Sequence, residues 1–486
     1  QPFGMAQTFT LDIGLEIHTQ LKTQSKAFCA DPVLFGAQPN SLVSPISLGH
    51  PGTLPVVNKK MVEFAIRLGL AFGCEINRFS FFDRKNYFYP DLPKGYQITQ
   101  DKAPICLGGN IQFRSKEGEW KTAQLNRIHM EEDAGKSLHG ESSNETLIDL
   151  NRAGVGLLEI VTEPVLHSAA DAAACLMEVR KMVRFLDIGD GNMEEGSFRC
   201  DANISIRPVG SDKLGSKVEI KNMNSFRHVQ KSIEFEFSRQ SAILNSGGSI
   251  VSETRMFDVE KGETYSMRTK ETLNDYRYFP DPDLAPMMVS DQMLDGIKAG
   301  MPELPYPLFI HFTQQLGLPE ADSFFLTESR ESVRFFQFLL AENVIPKTAA
   351  NWLMTTVRSW LNEQGRDLDE FPVSPAALAR LIQLVSDGKL SHSVAVQDVF
   401  PVLVNQPELD IEAFAAKENL LIQFDEDSLK TTIQEVLAAF PDKVKEYQSG
   451  RKALLGMFIG EMKKRSTSKS DPKLVSQLLE EALSGK

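Results

Sequence analysis

Alternating apolar and polar positions identify a strand at residues 13–21. Its polar side comprises Gly14, Glu16, His18 and Gln20. A period of two is typical of a half-buried strand, on which Glu16 and His18 share a face roughly 7 Å apart along the chain. A neighbouring carboxylate and imidazole can form an ion pair, an acid/base pair or two ligands of a metal. They can equally be a solvated strand face.

The same patterns predict further strands and separate helices up to about residue 295. Strands are predicted at 157–161, 200–206 and 218–220. Helices are predicted at 61–72, 171–186 and 228–245, the last of them ending at Gly247-Gly248. Because the strands come in runs and the helices are separate, we expect an α+β fold with an antiparallel sheet.

Beyond Pro302 the chain is predicted to be almost entirely helical. Helical patterns cover 320–343, 347–364, 374–386, 408–419, 426–440, 443–464 and 471–484. Residues 302–307 are rich in proline and predict a linker, and a second break falls near 400–407. We therefore expect a first domain at 5–295, beginning at Met5, a helical domain at 296–406 and a small helical tail at 407–486.

The charge of the chain argues against a general nucleic-acid coat. Its 486 residues carry a net charge of -13. Residues 443–469 are the exception, with eight cations against two anions: Lys443, Lys445, Arg451, Lys452, Lys463, Lys464, Arg465 and Lys469 against Glu446 and Glu461. This basic segment is either a solvated helix face or a contact with an RNA backbone.

Cysteine usage and hydropathy indicate the compartment. The five cysteines are scattered without a Cys-x-x-Cys pair, which indicates a reducing compartment and no structural zinc. No apolar run reaches the roughly 18 residues of a membrane helix, and no signal pattern opens the chain. We expect a cytoplasmic bacterial protein with no membrane partner, or an organellar matrix protein after removal of a transit peptide.

Carboxylates recur in two later segments. Residues 129–137 contain Glu131, Glu132 and Asp133. Their Gly-Lys-Ser is not a phosphate loop, because position 130 is Met where that motif needs Gly. This segment is either a charged turn or a site for Mg²⁺, which takes carboxylate oxygens. Glu159 stands within an apolar strand, where it must be paired or bound to a metal to be buried at low cost.

Three further groups have two interpretations each. Arg152 precedes the Glu159 strand and could contact a phosphate. Arg199 and Asp201 lie in a strand whose polar face either meets solvent or binds metal and phosphate. Lys85, Tyr87 and Tyr89 belong to an aromatic and basic stretch that either stacks on bases or packs at a domain edge.

Seven motifs together resemble one family, the B subunits of the tRNA-dependent aspartyl/glutamyl amidotransferases. They occupy residues 14–18, 82–91, 129–137, 149–152, 158–164, 199–205 and 275–283. The resemblance implies a glutamine-synthetase-like kinase with an antiparallel-sheet cradle, followed by the helical domain and a tRNA-binding tail. It implies a ligase that uses ATP and Mg²⁺ to phosphorylate the side-chain carboxylate of glutamate on misacylated tRNA-Gln or of aspartate on misacylated tRNA-Asn. Ammonia that an amidase partner makes from glutamine then displaces the phosphate, and a third, small protein of the same heterotrimer joins the other two.

The motifs also imply roles for individual residues. His18, Glu132 and Glu159 match the metal-binding positions, with Glu16 beside them and Glu131, Glu195 and Asp201 as secondary candidates. The nucleotide is assigned to Lys85, Arg152, Arg199 and Asp201, and the tRNA to Tyr87, Tyr89, Lys452, Lys463 and Lys464. The chain departs from its relatives at Cys29, which lacks the partner of a zinc pair, and at Gly450-Arg451, where Gly-Lys is usual.

Two other functions remain open at this point. One is a free-standing amide ligase that uses free ammonia. The other is a non-catalytic tRNA-binding scaffold, for which Glu132→Ala or Glu159→Ala would leave the activity of the assembly intact.

Overall fold

The computed structural model describes residues 8–139, 145–269, 276–422, 426–465 and 472–484. The chain forms two compact units, Gln1–Leu308 and Phe309–Lys486. The predicted division into three domains remains a prediction, and its residues 5–7 lie outside the described ranges. No helix in these ranges is long and apolar enough to cross a membrane.

The strands are confined to the first unit in the described ranges. They are β1 (Phe9–Gln20), β2 (Glu75–Ile76), β3 (Phe79–Ser80), β4 (Asp83–Asn86), β5 (Tyr96–Thr99), β6 (Cys106–Leu107), β7 (Asn110–Arg114), β8 (Trp120–Glu132), β9 (Lys136–His139), β10 (Thr146–Asp149), β11 (Gly156–Thr162), β12 (Phe198–Pro208), β13 (Val218–Lys221), β14 (Glu253–Asp258), β15 (Glu263–Thr269), β16 (Phe279–Pro280) and β17 (Met287–Met288).

The helices lie in both units. They are α1 (Lys59–Ala71), α2 (Ala169–Phe185), α3 (Phe226–Asn245), α4 (Asp291–Ala299), α5 (Pro305–Gln314), α6 (Glu320–Leu326), α7 (Arg330–Ala341), α8 (Pro346–Trp352), α9 (Arg358–Gln364), α10 (Pro375–Ser386), α11 (His392–Val394), α12 (Phe400–Asn405), α13 (Ile411–Lys417), α14 (Glu426–Ala439), α15 (Pro441–Gln448), α16 (Leu455–Arg465) and α17 (Pro472–Ser484).

A ten-stranded sheet organises the first unit. Its order is β15-β14-β13-β12-β1-β11-β8-β6-β2, and β7 pairs with β8. Strand β1 lies in the middle, antiparallel to β11 and to β12. The mixed α and β architecture expected from the sequence is confirmed, but the expectation of a purely antiparallel sheet is wrong at one pair. Strands β13 and β14 are parallel, because α3 crosses over between them.

The two faces of β1 differ as the alternation predicts. Ile13, Leu15 and Ile17 have no exposed surface and belong to the main core of this unit. Val179 and Val183 of α2 are buried in the same core. Since successive side chains of a strand point to opposite faces, Glu16 and His18 project from the other side of the sheet. The fold therefore gives a polar sheet face directly behind a closed apolar core.

The second unit contains helices and no strands in its described residues. Glu412 of α13 forms ion pairs with Arg380 of α10 and, at 2.9 Å, with Lys389. These contacts attach α13 to α10 and to the turn after it, both of which precede the predicted boundary at 407. Helices α14 to α17 enclose a small core of their own, which includes Ile433, Phe458 and Leu479.

Candidate active site

Four side chains lie in one row across the middle of the sheet. His18 of β1 is opposite Glu159 of β11 on one side and opposite Arg199 of β12 on the other. Glu159 in turn is opposite His129 of β8. Directly opposed residues of antiparallel strands share a face, so this row follows from strand register alone. It brings together residues that are up to 181 positions apart, from His18 to Arg199.

Two imidazoles and two carboxylates form the centre of this face. The Nε2 atom of His18 lies 3.4 Å from Glu131 Oε1 and 3.4 Å from Glu159 Oε2. The Nε2 atom of His129 lies 3.1 Å from Glu159 Oε2 and 3.6 Å from Glu131 Oε2. Glu131 reaches the group because it is two residues beyond His129 on β8 and shares its face. Each carboxylate thus faces both imidazoles.

At all four groups the attraction of opposite charges outweighs the effect of burial on the pKa. Burial opposes the charged form of His18, but Glu159 and Glu131 raise its pKa to about 10. The same causes raise the pKa of His129 to about 9. Burial and the neighbouring Glu159 oppose the charge of Glu131, yet the two histidines lower its pKa to about 2. The histidines also hold the pKa of Glu159 well below its usual range, against burial. The carboxylates are therefore ionised at neutral pH.

This group fits a divalent cation. One ligand atom from each of His18, Glu131 and Glu159 lies within 4.8 Å of the others. Two carboxylates and one imidazole suit a small divalent ion that displaces the proton of His18, because a ligating imidazole must be neutral. The buried Nδ1 of His129 has no hydrogen-bond partner in the described structure. The polar contacts of His129 with the two carboxylates are made by its Nε2 atom.

Glu132 is not brought into this group, contrary to the ligand set inferred from the motifs. As the residue after Glu131 it points to the opposite face of β8. There its carboxylate pairs with the Lys94 ammonium and accepts a hydrogen bond of 2.9 Å from the backbone N–H of Ile98. With Lys94, Tyr96 and Arg84 it lines a cavity of about 240 Å³. Glu131, and not Glu132, projects beside His18 and Glu159.

Glu16 belongs to a second acidic group on the sheet. It is opposite Asp201 of β12, and one oxygen from each of Glu16, Asp201 and Glu219 lies within 4.8 Å of the others. The Asn203 side-chain amide donates a hydrogen bond of 2.7 Å to Glu16. Lys221 pairs with Asp201 and, at 3.1 Å, with Glu219. Burial opposes the charge on Lys221, but these two carboxylates raise its pKa.

The two arginines expected to contact phosphate meet at one buried carboxylate. Asp133 lies 3.1 Å from Arg199 Nη2 and 3.7 Å from Arg152 Nε. It also accepts a hydrogen bond of 2.8 Å from the Gln20 side chain. Arg152 donates a further bond of 2.7 Å to the backbone carbonyl of Gly135. Asp133 therefore fixes both guanidinium groups at the edge of the histidine and carboxylate group.

Three tyrosines and one lysine lie near Glu131 and Glu159. We call this group, Lys85, Tyr87, Tyr276 and Tyr278, the aromatic wall. The Lys85 ammonium lies 4.8 Å from the centre of the Tyr276 ring and 5.9 Å from that of Tyr87. Burial first, and then the nearby Glu131, raise the pKa of Tyr87. Burial likewise raises the pKa of Tyr278, with Glu159 and Glu131 contributing. Tyr89 is 61% exposed, although its ring approaches that of Tyr87 to 6.1 Å.

The remaining predicted residues have the following surroundings. Glu195 is exposed, and its backbone N–H bonds to the Asn192 side chain at 3.2 Å. In the tail, Lys452 lies 4.1 Å from the centre of the Tyr447 ring, and Lys464 pairs with Glu461 at 2.8 Å. Lys463 is in α16, but its side chain lies outside the described part, as does Lys469.

Sequence reasoning missed His129, Glu219, Lys221 and Tyr276 as members of these groups. A signal existed for the first three. His129-Met130-Glu131 repeats in reverse the Glu-x-His spacing of residues 16–18, and Glu219-Ile220-Lys221 has the same spacing. In a strand this spacing places both side chains on one face. Tyr276 lies in the motif at 275–283, but this motif does not predict its place beside Lys85, which depends on residues 190 positions earlier.

Comparisons with known proteins match the whole arrangement to one family. The model of the GatB/GatE catalytic domain matches residues 11–295, and the GatB domain model matches residues 334–483. The aspartyl/glutamyl-tRNA(Asn/Gln) amidotransferase B subunit of Chlorobium luteolum is 47% identical over 98% of this chain and 100% of its own length. Proteins of the same name from Geotalea uraniireducens and Thermoanaerobacter pseudethanolicus are 46% and 44% identical, each over 97% of this chain and over 99% and 98% of their own lengths. The chain, including every strand that builds the site, belongs to the GatB family of amidotransferase subunits.

Proposed function

We propose that this chain activates and then amidates the side-chain carboxylate of glutamate on tRNA-Gln, of aspartate on tRNA-Asn, or of both. The proposal is supported by the names of the full-length relatives and by the metal-compatible group of His18, Glu131 and Glu159. In the first step a carboxylate oxygen attacks the γ-phosphorus of ATP and ADP leaves. In the second, ammonia attacks the acyl carbon, phosphate leaves with the bonding electron pair, and the nitrogen loses a proton.

Mg²⁺ is the metal we assign to His18, Glu131 and Glu159, where it would supply charge compensation for the transferring phosphoryl group. Glu16, Asp201 and Glu219 are proposed for a second ion. Glu132, which the motifs place among the ligands, is not proposed as one. Its pairing with Lys94 on the other face of β8 supports a separate role at the cavity.

The chain's own cations would bind and orient the reacting groups. Arg152 and Arg199 are proposed to contact ATP phosphates, because Asp133 fixes both at the edge of the metal-compatible group. Lys85 is proposed for the nucleotide, with Tyr87 and the exposed Tyr89 for the acceptor end of the tRNA. The wall of tyrosines would also exclude water from an acyl phosphate, which water would otherwise hydrolyse.

The partners follow from the same proposal. The sequence contains no Gly-x-Ser-x-Gly elbow or similar serine-nucleophile motif, so ammonia would come from a separate amidase protein, joined to this chain by a third, small one. The basic segment, with Lys452, Lys463 and Lys464, is proposed to contact the tRNA backbone. We further propose that the large sheet acts as a glutamine-synthetase-like kinase cradle and that the protein works in the cytoplasm or an organelle matrix.

One experiment tests the reaction. The chain is co-expressed with its amidase partner and the small third protein, then supplied with misacylated tRNA, ATP and glutamine labelled in its amide nitrogen. Label on the aminoacyl group, together with ADP formation that needs the misacylated tRNA, is the expected result. Label transfer that persists in Glu159→Ala would support the scaffold instead. Amidation by the isolated chain with ammonium, at the same kcat/KM as the complex, would support a free-standing ligase.

A further inference from the structure

Arg84 connects β4 to a chain segment almost 200 positions later. Its Nε donates a hydrogen bond of 2.8 Å to Asp281, and its Nη2 donates one of 2.8 Å to Asp283. Its guanidinium also lies 4.2 Å from the centre of the Tyr96 ring. The backbone joins the same two regions, since Phe279 is opposite Arg84 in the β4–β16 pair. One side chain thus holds two carboxylates and stacks on a third residue.

A second attachment holds the other end of that segment. The backbone N–H of Asn86 bonds to the Tyr276 carbonyl at 3.0 Å. The Asn86 side-chain amide donates a hydrogen bond of 2.9 Å to the backbone carbonyl of Arg277. Arg277 has a backbone φ of 47°, which a residue with a side chain rarely adopts. Residues 276–283, here called the strap, are therefore fixed at both ends to β4, and the first attachment includes a residue in an unfavoured backbone conformation.

The residue between the two attachment points is Lys85. Its ammonium lies 4.8 Å from the Tyr276 ring, so the strap supplies one side of its environment. Asp281 is 4% exposed, which means that the Arg84 pairing also neutralises a buried carboxylate. A guanidinium suits this task because its planar fork can bond two acceptors at fixed angles, which an ammonium cannot do equally well.

We propose that Arg84 is a positioning residue for the amidation reaction: by clamping Asp281 and Asp283 it holds Tyr276 against Lys85 and so keeps the aromatic wall in place. Arg84 itself faces the cavity with Lys94 and Glu132 rather than the histidine and carboxylate group. Its effect on the reaction is therefore indirect and passes through Tyr276. This inference rests on the proposed function.

A double-mutant cycle on the full complex tests that route. Arg84→Gln should lower kcat/KM for misacylated tRNA about tenfold or more, since misplacing a reacting group by 1 Å can cost roughly 10²-fold. Tyr276→Ala should lower it by a similar factor. If Arg84 acts through Tyr276, the double variant is no worse than the poorer single variant within about twofold, which is the usual error of additivity. Multiplied single effects in the double variant would overturn the inference.

Arg78 provides a control. It joins the residue before β3 to a late segment, with its guanidinium 2.6 Å from Asp291 and 3.0 Å from the carbonyl of Val289. This pair is more exposed than the Arg84 pair, and Arg78→Gln removes a link that does not lead to the aromatic wall. Its kcat/KM should stay within about twofold of the wild type. An equal loss in Arg78→Gln would show that any loosened link at this edge has the same effect, and would overturn a specific role for Arg84.

Two further measurements separate folding from positioning. Asp283→Asn loosens the outer half of the clamp and leaves Asp281 paired, so it should fold if Arg84→Gln does not and should lower kcat/KM less. Hydrogen exchange at the Asp281 amide, which bonds to the Phe82 carbonyl at 2.9 Å, should accelerate in Arg84→Gln and not in Arg78→Gln. Unchanged exchange in Arg84→Gln would overturn the clamp even if activity fell. Failure of the wild-type complex to amidate misacylated tRNA would refute the proposed function. It would not refute the clamp, because hydrogen exchange at the Asp281 amide tests the clamp independently of activity.

Discussion

Replacing Glu131 by glutamine should weaken metal binding, whereas the same change at its neighbour Glu132 should not. Glu131 faces His18 and His129, whereas Glu132 pairs with Lys94 on the other side of β8. Both are 3% exposed, so burial does not distinguish them. Glu131→Gln removes a unit charge from the proposed cation site, and Glu132→Gln does not.

The magnitude follows from the spacing of the ligand atoms. A unit charge pair about 4 Å apart is worth about 4 kcal/mol at an effective dielectric constant near 20. The ligand atoms of His18, Glu131 and Glu159 lie within 4.8 Å of one another, so an ion among them is no farther from Glu131 than this spacing. Because the ion carries two charges, the unit-charge estimate is a lower bound, and since about 1.4 kcal/mol is tenfold, Glu131→Gln should weaken Mn²⁺ binding by at least roughly 10³-fold.

Mn²⁺ titration followed by electron paramagnetic resonance measures this without any turnover. Glu132→Gln should keep the wild-type affinity within about threefold, because its carboxylate lies on the opposite face. It should instead destabilise the fold by up to about 3–5 kcal/mol, since it leaves the half-buried Lys94 ammonium without its carboxylate partner. Loss of Mn²⁺ binding in Glu132→Gln with retention in Glu131→Gln would refute the assignment.

Four further outcomes are expected. His129→Phe should weaken Mn²⁺ binding about 10- to 100-fold while the fold persists, because His129 orients the two carboxylates that it contacts. Unchanged Mn²⁺ affinity in the same titration would contradict this orienting role. Truncation after residue 422 should lower tRNA affinity and flatten its salt dependence in filter binding, while ADP formation from ATP persists; an unchanged salt slope would exclude the basic segment as the RNA contact. Glu236→Ala should cost about 3–5 kcal/mol in urea unfolding, because the buried Glu236 carboxylate bonds to Arg239, Gln240 and Thr264, whereas the exposed Glu234→Ala should cost little. Burial opposes the charge of Glu253, but Ser266 and Arg255 lower its pKa. The charged Glu253 therefore stabilises the fold above about pH 4.3, and this stabilisation is lost as the pH falls through the folded pKa. The difference in free energy of unfolding between the wild type and Glu253→Gln should shrink from about pH 7 to about pH 3.

Much of the local structure could be predicted because it depends on neighbours in sequence. The alternation of residues 13–21 predicts both the strand β1 and its buried face, and the helix predicted at 171–186 is observed at Ala169–Phe185. Ser168 begins that helix by accepting a hydrogen bond from the Asp171 N–H, which is a local signal.

The membership of the site could be predicted only in part. His18 and Glu159 meet as expected, because they stand opposite each other on neighbouring strands. Glu131 and Glu132 are adjacent in an acidic run, and composition cannot say which one faces His18. That choice depends on the pairing of Glu131 with Leu157 and of Glu132 with Gly156, which is a property of strand register. The parallel pair β13–β14 escaped prediction for a similar reason, since a helix between two strands fixes neither their order nor their direction.

Because Glu131 and Glu132 project from opposite faces, β8 alone separates the histidine and carboxylate group from the cavity that Glu132 lines. Deleting a single residue from the strand upstream of this pair would exchange the compartments into which the two carboxylates project, without changing the composition around them. The length of β8 should therefore be more constrained among relatives than the identity of its residues. Insertions and deletions in relatives should fall in the turns on either side of β8.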